Sequence, residues 1–149
     1  MKIRLSLPEE KKAPVGAELA RQGIEVSEDA EYTLIETPRS RDFLNVRDKE
    51  SRAVHLSADQ VLYIESFGKD IEVHTLQDTY YSQDRIYRLE ELLDPREFIR
   101  ISKSVIIAKS SVKKIRPALT MKFVLTLSDG SLVDVTRSYY TNFRRFFNI

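Results

Sequence analysis

The chain has 149 residues, 42% of them hydrophobic, which is enough for one proper core and a small appended unit. It has no cysteine, which excludes a disulfide framework and thiolate chemistry. The net charge is only +1, yet residues 96–149 carry eleven Lys and Arg against three acids while residues 1–95 carry the acidic excess, an asymmetry that points to nucleic acid or another anionic surface.

The N-terminus, M-K-I-R-L-S-L-P-E-E-K-K, lacks the apolar run of a signal peptide. No stretch approaches the roughly 20 apolar residues of a membrane span. A soluble, cytoplasmic protein is therefore expected. Ile3, Leu5 and Leu7 alternate as a strand with one buried face, which Pro8 ends. A helical pattern follows from Ala13 to Gln22 and stops at Gly23, and a second apolar run covers Tyr32 to Ile35. This β-α-β piece, residues 1–37, is too small to bury a core alone and is expected to dock on the main domain or on another copy. Residues 38–42 read as a linker.

From Phe43 onward, short apolar runs alternate with turn signals. Strands are expected at Phe43–Arg47, Arg52–Leu56, Val61–Phe67, Ile71–Leu76, Thr79–Ser82, Phe98–Ile101, Val105–Ile107, Arg116–Pro117, Met121–Leu127 and Leu132–Thr136. The turns are D-K-E-S, G-K-D and S-D-G-S, the last a hairpin signal through Asp129-Gly130. One helix, Arg85 to Leu93, places Ile86, Leu89, Leu92 and Leu93 on one face and stops at Asp94-Pro95. A second begins near Ser138 and carries Phe143, Phe146 and Phe147. The expected fold class is mainly β, α+β overall: small antiparallel sheets with two short helices over residues 43–149, plus the N-terminal β-α-β unit.

Enzymatic signals are absent. His55 and His74 sit in strand-like runs without ligands clustered at helical or knuckle spacing, so no metal site is expected. Ser110-x-x-Lys113 lacks the companion motifs of serine–lysine enzymes. Glu90 and Glu91 are adjacent on a helix and diverge, so they form no dyad. Four glycines make no phosphate-cradling loop, and no cofactor or small-molecule substrate is expected.

The segment Phe98 to Ile115 threads Arg100, Lys103, Lys109, Lys113 and Lys114 among apolar residues without one acid. Burying the apolar members strands the cations on a rigid surface, as a polyanion reader needs. Lys103 falls on the same side of the alternation as Ile101 and Val105, where an unpaired lysine cannot stay buried. Ser102 and Ser104 around it indicate a break into a loop, which would put Lys103 in solvent. Arg137 likewise follows the apolar strand Leu132–Val135 at a turn. Two cations on loops held by strands make a better reading head than cations on a mobile tail.

The blocks V-L-Y-I-E-S (61–66), L-E-E-L-L, F-I-R-I-S-K-S-V-I-I-A with K-K-I behind it, and L-S-D-G-S-L-V-D-V-T-R-S-Y-Y resemble, in order and spacing, the LytTR DNA-binding domain. The resemblance covers roughly Phe43 to the C-terminus. It implies a bacterial transcription regulator that binds duplex DNA at paired repeat sites, with loops rather than a helix in the major groove. Three loops would carry the contacts: Gly68 to Ile71 with Lys69, Ser102-Lys103, and Arg137 with Ser138. Ile71 stands where some members place a contacting histidine, and Ala108 replaces a frequent asparagine. About forty residues precede the domain, short of the receiver domain that many members carry. The arrangement is similar to short regulators held in check by a small inhibitory membrane protein.

The reading is thus a sequence-specific regulator in which Arg137 contacts guanine bidentately and Lys103 meets a base or a phosphate. Lys69, Arg100, Lys109, Lys113, Lys114 and Lys122 would position phosphates. The N-terminal unit would mediate a homodimer. The alternative is a basic interaction module that docks an acidic partner or a membrane surface.

Overall fold

The computed structural model describes residues 1–36 and 43–149; the expected linker, 38–42, lies outside the described residues. The chain divides into two compact units, Met1–Pro38 and Arg39–Ile149. In the first, β1 (Lys2–Ser6) is the central strand, flanked by β2 (Glu25–Val26) and β3 (Tyr32–Ile35), both parallel to it. The helix α1 (Glu9–Arg21) starts four residues before the expected Ala13. Glu9 and Glu10 in its first turn oppose the positive end of the helix dipole, and Pro14 is carried in its interior. Gly23, at φ +78, takes the left-handed position that ends the helix. None of the α1 residues is fully buried.

The second unit contains β4 (Phe43–Arg47), β5 (Ala53–Ser57), β6 (Tyr63–Phe67), β7 (Asp70–His74), β8 (Thr79–Ser82), α2 (Ile86–Leu92), β9 (Phe98–Arg100) and β10 (Val105–Ala108). These strands form one antiparallel sheet in the order β5-β4-β8-β7-β6-β10-β9. The β4–β5 hairpin joins it through the single pair Arg47↔Tyr81. A separate antiparallel sheet holds β11 (Val112–Ala118), β12 (Lys122–Leu127) and β13 (Leu132–Val135), and α3 (Tyr140–Phe147) follows.

Two cores share one wall. The first collects Leu44, Val46, Ile64, Val73 and Ile106 under Ile86 and Leu89 of α2. The second packs Tyr63, Ile101, Val105 and Ile107 against Phe123, Leu125, Val135 and Phe143 of the smaller sheet and α3. Neighbours in β10 therefore face different cores, and all four of its residues are buried. A strand covered on both faces reads as a continuous apolar run, which is why V-I-I-A and V-L-Y-I show no polar alternation.

β11 is longer than the expected Arg116–Pro117. A register shift between Val112 and Lys114 spoils the alternation by which a strand is recognised, and the strand lies at a sheet edge, where Pro117 is tolerated. Phe143, fully buried, closes the second core through ring contacts with Phe123 (5.2 Å) and Phe147 (4.7 Å). Phe143→Ala should cost about 3–5 kcal/mol in denaturant unfolding. Phe146→Ala, on the half-buried side of the same helix, should cost clearly less.

Candidate nucleic-acid interface

Strand register brings three turns of the second unit to one edge. Phe67 pairs with Asp70, leaving Gly68 and Lys69 as the turn between β6 and β7. Gly68 has φ +61, the sign that a tight II′ hairpin wants at its first central residue. The second turn runs from Ile101 to Val105 between β9 and β10, closed by the Ile101 N–H donating to the Val105 carbonyl at 3.0 Å. The third begins at Thr136, where β13 gives way to the turn Arg137–Tyr139.

Backbone hydrogen bonds tie the three together. The Ser66 N–H donates to the Ser104 carbonyl at 2.8 Å, which fastens the first turn to the second. The Thr136 N–H donates to the Ile101 carbonyl at 3.0 Å, which fastens the third to the second. Lys69, Lys103, Arg137 and Ser138 are all exposed on these turns. No carboxylate among the described residues pairs with Lys69, Lys103 or Arg137.

The bend that carries Lys103 is held from within. Ser102 is buried, and its hydroxyl accepts the Ser104 N–H at 3.2 Å. Arg100, whose side chain is only 19% exposed, donates from Nε to the Ser102 carbonyl at 3.1 Å and from a second nitrogen to the Lys103 carbonyl. Its remaining arm meets Glu90 at 3.5 Å. The guanidinium is thus a brace behind the Lys103 bend. Ser102 supports the bend in the same way.

The remaining cations separate by strand position. Lys122 pairs with Ala118 at the end of the smaller sheet where Phe123 meets Val135, so it belongs to the Arg137 edge. Lys114 pairs with Thr126 at the other end, four residues or about 13 Å away along the strand. Lys113 neighbours it in the bulge. Lys109 follows the far end of β10 and lies over the rings of Phe146 and Phe147, 5.2 and 6.0 Å from their centroids. The ten expected contact residues therefore do not share one surface.

Two features escape sequence reading. The turn between Ala118 and Lys122 lies at the Arg137 edge and exposes Leu119 and Met121. It holds Thr120 and Met121 at φ +62 and +55, conformations that cost on the order of 1–3 kcal/mol each for non-glycine residues. No glycine or asparagine marks that turn. The second is a grouping around His74: β6–β7 pairing sets Glu65 opposite Glu72, which lies two residues before His74 on the same strand, so the three side chains share one face. Glu65 is remote in sequence, so the grouping exists only once the register is known.

A β-rich unit that presents cations and hydroxyls from mutually fastened turns belongs to the nucleic-acid-binding class of proteins. Residues 51–148 match the LytTr DNA-binding domain, and the chain belongs to that family. The family is a DNA-binding, non-enzymatic one. The sensory transduction protein LytT of Bacillus anthracis is 25% identical over 100 residues, covering 67% of this chain and 41% of that protein. The transcriptional regulatory protein LytR of Staphylococcus aureus is 29% identical over 72 residues, 48% of this chain and 29% of that protein. The match thus spans about two fifths or less of these relatives. A solved LytTr DNA-binding domain from Bacillus cereus shares the fold at a TM-score of 0.69 and 24% identity, covering 73% of this chain and 99% of that one.

Arg100→Ala should leave the strands protected while amide exchange across Ser102–Ser104 accelerates about tenfold or more, because two charge-assisted bonds are lost. Exchange unchanged at the bend would contradict the bracing role.

Proposed function

We propose that the chain is a sequence-specific regulator of transcription that reads the major groove of duplex DNA with the three fastened turns. The observation that carries this reading is the pair of backbone bonds, Ser66 to Ser104 and Thr136 to Ile101, that set the Lys69, Lys103 and Arg137 turns side by side. The β6–β7 and β9–β10 turns are two strand spacings apart, about 10 Å. A major groove about 12 Å wide accommodates that separation.

Arg137 is the proposed base reader, because its planar fork matches the two acceptors of guanine. Lys103 contacts a base or a phosphate, and Ser138 beside Arg137 contacts the backbone. Lys69 and Lys122 position phosphates from either flank. Arg100 and Ser102 act indirectly by shaping the bend. Lys109, Lys113 and Lys114, at the far ends of their strands, contribute to the long-range attraction of DNA rather than to contacts.

Paired repeat sites would be filled by two copies, and the first unit is the proposed dimerisation element. Its edge strand β3 exposes Tyr32 at 60% and Ile35 at 63%, apolar surface that a second copy would cover. Among the described residues no helix is long and apolar enough to cross a membrane, and a cytoplasmic protein in a bacterial cell fits this role. A small inhibitory membrane protein is a proposed partner on the family resemblance alone.

The test begins by selecting a preferred duplex from a random pool. Arg137→Ala should then cost about 1–3 kcal/mol on that duplex and relax preference at one base position. An equal loss on random duplex would overturn its role. Lys122→Ala should reduce the salt dependence by about one contact, whereas Lys114→Ala should leave it nearly unchanged. Failure to select any preferred duplex would favour the acidic-partner or membrane reading.

A further inference from the structure

The face of β6 and β7 that carries Tyr63 also carries Glu65, Glu72 and His74. Glu65 and Glu72 are direct cross-strand partners, an arrangement of like charges that destabilises a sheet unless something neutralises it. One donor atom from each of Glu65, Glu72 and His74 lies within 4.8 Å of the others, and all three side chains are partly buried.

His74 is held in a particular orientation. Its ring stacks on Tyr63 with centroids 4.3 Å apart, and its Nδ1 lies 3.2 Å from the Thr79 hydroxyl. The other nitrogen, Nε2, has no accessible surface and no hydrogen-bond partner among the described residues. It lies 3.3 Å from a Glu72 carboxylate oxygen, but off the line that a hydrogen bond requires. A metal-binding histidine commonly has its second ring nitrogen fixed by a neighbouring group, as the Thr79 hydroxyl fixes Nδ1 here, which leaves Nε2 free to ligate. Two ligands of a tetrahedral zinc ion, each about 2.1 Å from the metal, are themselves about 3.4 Å apart, close to the Nε2–carboxylate separation here.

The geometry points to a site for a divalent transition-metal ion of the zinc class, bound by His74 Nε2 and one carboxylate oxygen each from Glu65 and Glu72. One nitrogen and two carboxylate oxygens suit zinc, cobalt and nickel better than calcium or magnesium, which take oxygen ligands alone. Rotation of the Glu65 side chain brings its oxygen into the first coordination sphere, and solvent completes it. The ion would cross-link β6 to β7 two residues below the pair Phe67↔Asp70, beneath the turn that holds Lys69.

The competing account is that the three side chains are an ordinary partly buried polar cluster and no metal binds. Titration of the full chain with Zn²⁺ at neutral pH, and with Co²⁺ as an optical probe, separates the two without any DNA present. The wild type should bind one ion saturably, show cobalt absorption bands of low coordination number, and melt at higher temperature with zinc. His55→Ala should bind as the wild type does, because that exposed histidine lies against Asn45 and the stacked ring of Phe43 and belongs to a different hairpin. His74→Ala and Glu65→Gln should each weaken binding at least tenfold. Glu65→Gln keeps the ring stacking and so remains informative if His74→Ala misfolds. No saturable binding by the wild type, binding retained in Glu65→Gln, or binding lost in His55→Ala would overturn the site.

Discussion

A single four-residue strand, covered on both faces, sets the constraint on which the second unit depends. Val105 and Ile107 of β10 belong to one core and Ile106 to the other, so a one-residue slip of register would exchange the two sets. β6 is fixed against it by Val105↔Glu65, Ile106↔Ile64 and Ile107↔Tyr63. The turns at the ends of these strands inherit that rigidity. The Lys103 bend leaves β10 directly, and the Lys69 turn leaves β6 directly. Because the second core also contains Val135, the Arg137 turn starts from the same packed body.

Within this frame, polar groups divide into those that build the edge and those that face outward. Arg100 and Ser102 turn inward and satisfy the carbonyls and amide of a bend that would otherwise bring unpaired backbone groups close to the core. Lys69, Lys103, Lys122 and Arg137 face outward without acid partners among the described residues, and so keep their full charge for a polyanion. The arrangement economises on ordering entropy, since the turns are already set before a ligand arrives.

Most of the strand plan was legible because apolar runs and turn chemistry coincide. Phe43–Arg47, Thr79–Ser82 and Tyr32–Ile35 match the observed limits residue for residue. The break at Lys103 was legible for a physical reason, since a lysine between Ile101 and Val105 could not be buried. What depended on pairing was hidden. Pro14 inside α1, the bulge in β11 and the two-residue β2 weaken the local signals on which periodicity rests. Basic residues close in sequence, such as Lys103 and Lys109, proved to lie at opposite ends of β10. The bracing role of Arg100 was likewise invisible, because nothing in the sequence tells an inward-turned arginine from an outward one.

The central claim is that three turns, fastened by two backbone hydrogen bonds, meet the duplex as one surface. Amide chemical shifts of the full chain, followed during titration with its selected duplex, test this directly. The account predicts that Gly68–Asp70, Ser102–Ser104 and Thr136–Ser138 shift together and saturate at one duplex concentration, while Lys109–Lys114 remain nearly unmoved. Shifts concentrated at Lys109–Lys114, or confined to one of the three turns, would contradict it.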